Sequence, residues 1–269
     1  MTCLTFVIPI RHQENSENWN LLIGNLKQTI RSICAQKNPD WKAVIVANYG
    51  ARLPELPKNF DVCFVDFPPN ELYIRGSSDL EVFREAVRLD KGRRLLEGIK
   101  YAGNTKYLMF VDDDDFLHCN LTQYVSENMG QNGWYIKDGL IWQDGSSLLM
   151  NYTNFYLFCG TSHIVRSDLL ALESFDQDVG FKYLKRMLGS HIYIKNELDK
   201  NKTPLKCLPF KGAIYRVGHA DAHSKSRGII DTFFLKRAIV KSPKTLVKRI
   251  INLRWMNSKI RRTYFGIPD

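Results

Sequence analysis

Through the N-terminal part of the chain, short apolar runs rich in β-branched residues alternate with longer stretches whose apolar positions recur every three or four residues. Thr5 to Ile10 is a continuous apolar run interrupted only by Pro9, and it predicts a buried strand. From Asn18 to Ala35 the apolar residues fall at Trp19, Leu22, Ile23, Leu26, Ile30 and Ile33, the spacing of an amphipathic helix. Trp41 to Ala47 predicts a second strand, ending at Asn48-Tyr49-Gly50. Val62 to Phe67 predicts a third, stopped by Pro68-Pro69. Arg84 to Tyr101 reads as a helix and Lys106 to Val111 as a fourth strand. Strands alternating with helices predict a mainly parallel sheet flanked by helices, an α/β fold whose ligands bind at the carboxyl ends of the strands.

The second half is less regular. Thr153 to Val165 is aromatic and apolar, a helix is expected from Ser167 to Leu172 and another from Met187 to Leu198, and Lys206 to Val217 is strand-like. No internal repeat or low-complexity segment stands out.

The 269 residues, 44% hydrophobic and 25% charged, suffice for one large α/β domain or two small ones with a real core. Cysteines stand singly at 3, 34, 63, 119, 159 and 207 without a CxxC pair, so reduced, mostly buried thiols of a cytoplasmic protein are expected. Met1 to Pro9 lacks a charged leader and a cleavage site, so no signal peptide is expected, and no apolar run has the length of a spanning helix. Charge is uneven. Residues 225–269 hold twelve Lys or Arg against Asp231 and Asp269, a local +10 that equals the net charge of the whole chain. This predicts a near-neutral body over 1–225 and a basic C-terminal tail over 226–269. Within Ser242 to Arg262, Leu246, Ile250, Leu253 and Ile260 follow one helical stripe with Val247, Ile251 and Trp255 beside it. Such a helix suits peripheral contact with an anionic membrane, at about 1 kcal/mol per basic residue near the surface. The alternative is a helix packed on the body with its charges in water.

Asp112-Asp113-Asp114-Asp115 directly follows the fourth predicted strand. Close carboxylates repel by roughly 1–4 kcal/mol per pair, a cost that a bound cation removes. Asp112 and Asp114, two apart on extended backbone, project to the same side. Oxygen pairs of this kind suit Mn²⁺ or Mg²⁺ with substrate phosphates. The plainer reading is a solvated acidic turn ahead of a helix near Phe116.

Taken in order, Phe6-Val7-Ile8-Pro9, Leu26 to Gln36, Asp90-Lys91-Gly92-Arg93-Arg94 and Phe110 to Asp115 resemble the family 2 glycosyltransferases and their GT-A relatives over roughly residues 3–225. The resemblance implies a GT-A (Rossmann-like) fold with a nucleotide-sugar half over 1–118 and an acceptor half over 119–225. It implies that Pro9, Ile10 and Arg11 lie beside the nucleotide, with Arg11 or His12 able to reach phosphate. Asn48 stands where the family usually carries an acidic residue for the uracil or ribose. Asp90, Lys91, Arg93 and Arg94 would meet the base, ribose or diphosphate. Asp112 and Asp113 would touch the donor, and Asp112 and Asp114 the Mn²⁺ or Mg²⁺, with Asp115 a third candidate. His219, ahead of His223, would complete the metal shell. The family's catalytic base is an Asp, but His191 stands at that place here. Histidine is competent for proton abstraction at neutral pH, and Asp176 and Asp178 are the fallback bases. Trp134, Tyr135, Trp142, Tyr152, Phe155 and Tyr156 are candidates for an acceptor platform or for the core.

The expected activity is therefore transfer from a nucleotide-sugar, a UDP-sugar by resemblance, to a hydroxyl of a glycan or lipid-linked acceptor, with inversion. Rival readings are a nucleotidyltransferase, which the glycine-free Arg11 to Asn15 loop disfavours, and a non-catalytic carbohydrate- or lipid-binding relative. Nucleic-acid binding through the tail would not need Asp112 or Asp114.

Overall fold

The computed structural model describes residues 1–73, 79–170, 177–218, 228–234 and 243–268. Strands β1 (Thr2–Pro9), β2 (Trp41–Asn48), β3 (Phe60–Val65) and β4 (Thr105–Phe110) form where the apolar runs predict them. They stand in the order β3-β2-β1-β4 and are all parallel. Helices α1 (Trp19–Cys34) and α2 (Leu80–Ala102) cover opposite faces. Phe6 and Ile8 of β1 pack with Leu22, Leu26, Ile30 and Ile33 of α1, whereas Val7 turns to the other side and meets Leu95 and Leu96 of α2. A strand buried on both faces needs no polar alternation, so β1 and β2 read as unbroken apolar runs. Helix α2 starts one turn earlier than its periodicity predicts, because the Asp79 carboxylate accepts from the Glu81 amide at 2.8 Å and caps it.

Beyond β4 the chain adds shorter pieces. They are β5 (Phe116–Leu117), α3 (Leu121–Glu127), β6 (Gly133–Tyr135), β7 (Asp138–Gln143), β8 (Leu148–Thr153) and β9 (His163–Arg166). Strand β9 inserts antiparallel between β4 and β6, and β10 (Lys206–Cys207) closes that edge to make a seven-stranded sheet. A second sheet of five strands joins β5, β7 and β8 to β11 (Ala213–Val217) and β12 (Leu253–Trp255). The result is the expected mainly parallel, helix-flanked α/β sheet, with an antiparallel addition beyond β4.

Three elements differ from the sequence expectation. Lys206 to Val217 is two strands, one in each sheet, rather than one. The helix expected from Met187 begins only at His191. Helix α4 (Gln177–Tyr183) runs into a π-turn over Leu184–Leu188, and α5 spans His191–Lys200. From Ser167 the chain makes a 3-10 turn to Leu170, and the rest of that expected helix lies outside the described residues.

The C-terminal segment does not stand apart from the body. After α6 (Ile229–Phe233) and α7 (Pro243–Asn252), β12 pairs antiparallel with β8, placing Leu253 opposite Met150. Leu253–Trp255 is extended rather than helical because it covers the open edge of β8. Tyr264 and Phe265 enter the cluster of Phe116 and Trp142, and Arg31 Nε donates to the Phe265 carbonyl at 2.9 Å. Cys3, Cys63, Cys119 and Cys159 are buried as expected, whereas Cys34 and Cys207 are exposed; all six are free thiols.

Candidate active site

The carboxyl ends of β1, β2 and β4 converge with the start of α5 on one side of the large sheet. Asp112 leaves β4 with its amide held by Thr161 Oγ1 at 2.9 Å, and its carboxylate forms an ion pair with Lys91 of α2. Burial works against the Lys91 charge, but Asp112 outweighs it, and the ammonium pKa sits above its ordinary value. Gly160 lies directly against this pair. A Cβ there would stand 2.9 Å from Lys91 Nζ and nearer still to Asp112 Oδ2, so only glycine leaves the pair room.

The four aspartates divide by burial. Asp115 turns inward and is fully buried, accepting from the Arg216 amide at 3.3 Å and the Cys159 thiol at 3.2 Å. Burial and the neighbouring carboxylates raise its pKa well above the usual range, and it serves the fold rather than the cleft. Thr29 Oγ1 donates to the Asp113 and Asp115 carbonyls at 3.0 and 2.9 Å, fastening the turn to α1. Asp113 remains half-exposed. Burial and Asp114 push its carboxyl up to about 7, against the pull of the Arg11 charge. Beneath the turn lies Arg216, fully buried, stacked 4.9 Å over Phe116 and 5.2 Å over Trp142, and donating to Gln28 Oε1 at 2.6 Å. Its charge partly offsets the acidic cluster, though not enough to return Asp113 to an ordinary carboxylate.

A cleft of about 350 Å³ opens beside Asp112 and Lys91 and is lined further by Arg84, Arg88, Phe158, Gly160, His191 and Tyr215. Arg84, Arg88 and Lys91 recur at helical spacing on α2, each in an ion pair: Arg84 with Glu81, Arg88 with Glu81 and Glu85, and Lys91 with Asp112. His191 reaches the cleft as the first residue of α5. The π-turn before it packs so closely on α2 that a Cβ on Gly189 would collide with the Arg88 carbonyl. Burial and the Lys91 charge lower the His191 pKa to about 4, while the Leu157 carbonyl, an acceptor for the ring, acts in the opposite sense. The imidazole is therefore neutral at physiological pH, with one nitrogen tied to a carbonyl and the other able to accept a proton.

At the end of β2, Asn48, Asp90 and Arg94 form one network. Arg94 is buried, donates to Asp90 Oδ2 and Asn48 Oδ1 at 2.8 Å each, and stacks 5.6 Å from the Phe67 ring. Asn48 in turn donates to the Phe67 carbonyl at 2.6 Å. These three are engaged with one another at the end of β2, while Arg94 Nη2 is buried without a hydrogen-bond partner among the described residues. Arg93 faces away over Phe181 at 5.7 Å. Pro9 ends β1, Ile10 is buried with its amide on the Val46 carbonyl at 2.9 Å, and Arg11 follows. His12 caps the short turn over Gln13–Asn15 by accepting from the Glu14 amide.

The remaining sequence candidates fall elsewhere. His219, His223 and Asp176 lie outside the described residues. Asp178 is in α4, but its side chain is not among those described. Trp134, Trp142 and Phe155 are core residues, and the aromatic residues that line the cleft are Phe83, Phe158 and Tyr215. Phe158, Gly160 and Thr161 escaped sequence reasoning. Their one signal is the small, flexible Cys159-Gly160-Thr161-Ser162 run between aromatic stretches, which marks a close backbone approach.

Among the described residues no group of three His, Cys, Asp or Glu gathers around one point as a ready-made metal cage. The donors that line up at the end of β4 are carboxylate oxygens alone, and burial followed by the charge of Asp114 raises the Asp113 pKa. Mg²⁺ and Mn²⁺ need only one or two carboxylates when substrate phosphates supply the rest, so this donor set fits such an ion.

No protein-family model matches the sequence, and no curated protein matches it. Solved structures that it resembles at low identity include the following. TarS (1–349) of S. aureus is 12% identical with a TM-score of 0.44, over 80% of this chain and 60% of that one. This chain thus spans less than two thirds of the TarS chain. Rv0371C of Mycobacterium tuberculosis H37Rv, solved as a complex with manganese, is 10% identical with a TM-score of 0.35, over 80% of this chain and 91% of that one. A protein of Desulfovibrio desulfuricans G20, assigned as a nucleotide-diphospho-sugar transferase, is 14% identical with a TM-score of 0.40, over 92% of this chain and 94% of that one. These are likenesses of architecture, and the chemistry of the site rests on its own residues.

Proposed function

We propose that this protein is a glycosyltransferase that moves a sugar from a nucleotide-sugar, a UDP-sugar by preference, onto a hydroxyl of a glycan or lipid-linked acceptor. One observation carries the reading: Asp112, Lys91 and a neutral His191 line the same cleft at the carboxyl edge of a parallel sheet. Metal, nucleotide and base are the three things sugar transfer requires there.

In this reading Pro9, Ile10 and Arg11 border the nucleotide, and the Asn48–Asp90–Arg94 network holds the floor against which the base rests. Asp112 and Asp114 would hold Mn²⁺ or Mg²⁺ together with the donor phosphates, with Asp113 beside them and His219 as a further ligand. When bound, that ion supplies positive charge for the departing nucleoside diphosphate. Lys91 adds a fixed ammonium on the same side. His191 removes the proton from the acceptor hydroxyl as that oxygen attacks the anomeric carbon, and a single displacement inverts the configuration. Asp178 is the alternative base. A diphosphate paired with Lys91 would also relieve the charge that depresses His191, so donor binding strengthens the base it serves.

The test is release of nucleoside diphosphate from a panel of nucleotide-sugars with Mn²⁺, comparing the native protein with Asp114→Ala and His191→Gln. Both variants should lose about a hundredfold or more in turnover, the first with weakened Mn²⁺ binding and the second with donor affinity retained. Release of pyrophosphate instead would identify a nucleotidyltransferase, and full turnover in Asp114→Ala would remove the metal assignment.

A further inference from the structure

Helix α7 carries an apolar face that the described residues leave exposed. Val247, Ile250 and Ile251 are 55%, 54% and 65% exposed, and Trp255, just beyond in β12, is 70% exposed. Their spacing places them on one side of the helix and its continuation. The opposite side is anchored: Arg249 donates to the Phe233 carbonyl and stacks 5.6 Å over the Phe233 ring, and Leu253 packs with Ile141, Met150 and Val217. Because β12 is hydrogen-bonded to β8, this face has a fixed orientation relative to the five-stranded sheet.

Charge indicates what covers it. Residues 243–268 contain seven Lys or Arg and no Asp or Glu. Lys244, Arg254, Lys259 and Arg261 are exposed around the apolar centre. A second copy docking by two-fold symmetry would bring this positive surface against itself. A nucleic acid would use the charges but leave four large apolar side chains in water. An anionic bilayer uses both, receiving the apolar side chains below its headgroups and the basic ones at their level.

We infer that the α7–β12 face is a docking surface for a membrane rich in anionic phospholipid, with Val247, Ile250, Ile251 and Trp255 inserting. The sequence alone suggests a basic helix whose stripe is Leu246, Ile250, Leu253 and Ile260 with Val247, Ile251 and Trp255 beside it, either at a membrane or packed on the body. The structure assigns Leu253 to packing against β8 and turns Ile250 outward together with Val247, Ile251 and Trp255. The inference is independent of the reaction proposed for the cleft, since it uses none of the same residues.

The experiment is flotation of the full chain with vesicles of phosphatidylcholine alone or mixed with phosphatidylglycerol, reading Trp255 emission alongside. Anionic vesicles should bind the protein about tenfold or more tightly than neutral ones, with a blue shift of emission that is absent in Trp255→Ser. Ile250→Glu with Ile251→Glu should abolish flotation while the thermal midpoint and nucleotide-sugar binding stay unchanged, because both positions are exposed and far from the cleft residues in sequence and role. Undiminished flotation in the double variant would overturn the inference. So would loss of a native dimer in that variant, or equal binding to neutral vesicles or to duplex DNA.

Discussion

Replacing Gly160 with alanine isolates the geometry of the cleft from the stability of the fold. An ordinary van der Waals contact begins near 3.4 Å, whereas the new methyl would start 2.9 Å from Lys91 Nζ and nearer to Asp112 Oδ2. Both atoms are at the ends of side chains facing a cleft of about 350 Å³, so they can yield, and the backbone of β4 need not move. Lys91 must retreat by about half an ångström and Asp112 by more, which separates the pair and re-aims the carboxylate. A misplacement of about 1 Å at a reacting centre can cost on the order of a hundredfold in rate. The expected outcome is a loss of Mn²⁺-dependent nucleoside diphosphate release of about 10- to 100-fold, with a thermal midpoint within about 2 °C of native, the shift for less than 1 kcal/mol. Lys91→Ala in the Gly160→Ala background should lose little more, since the pair is already broken. Native turnover in Gly160→Ala would refute the claim that the Asp112–Lys91 pair organises the site. A collapse of the thermal midpoint would show instead that the contact serves the fold.

Two further outcomes follow from burial. Arg94→Ala strands the Asp90 carboxylate and the Asn48 carbonyl beneath β2, and breaking a buried ion pair by removing one partner costs about 3–5 kcal/mol. Thermal melting should fall by on the order of 10 °C, and an unchanged midpoint with lost nucleotide binding would instead make Arg94 a ligand. Asp113, pushed up to about 7 from an ordinary 3.8, stays protonated in the native protein at pH values where the unfolded chain is ionised. The native state therefore binds more protons between about 4 and 7, and stability falls as pH rises through that window. Asp113→Asn should raise the melting temperature at pH 8 and leave it unchanged at pH 3, in buffer free of divalent ions. A variant that is no more stable at pH 8 would contradict the assignment.

The parallel half of the fold is legible in the sequence because β1, β2 and β4 are apolar runs of strand length buried on both faces and α1 is buried on one. Length together with hydrophobic spacing separates those two situations. The acidic turn after β4 is legible for a related reason: four adjacent carboxylates are costly wherever they sit, so their place at a strand end already points to charged chemistry. What the sequence leaves open depends on contacts between segments distant along the chain. Strands β9 to β12 are two to five residues long, too short to show a period, and it is pairing that selects them. Leu253–Trp255 fits a helical stripe as well as a strand, and only the open edge of β8 decides for the strand.

The same division runs through the site. The string Asp112 to Asp115 names four similar residues, and nothing local says which is buried. Tertiary packing turns Asp115 onto the Arg216 amide and Cys159, and leaves Asp112 to pair with Lys91. His191 could be singled out by position and chemistry. That it is neutral and shares a cleft with Asp112 follows from the π-turn, the close approach at Gly189 and the ammonium of Lys91. Composition and periodicity thus determine which surfaces must be buried and where charge accumulates. Which charged group meets which, and in what protonation state, is decided only when distant segments exclude water from between them.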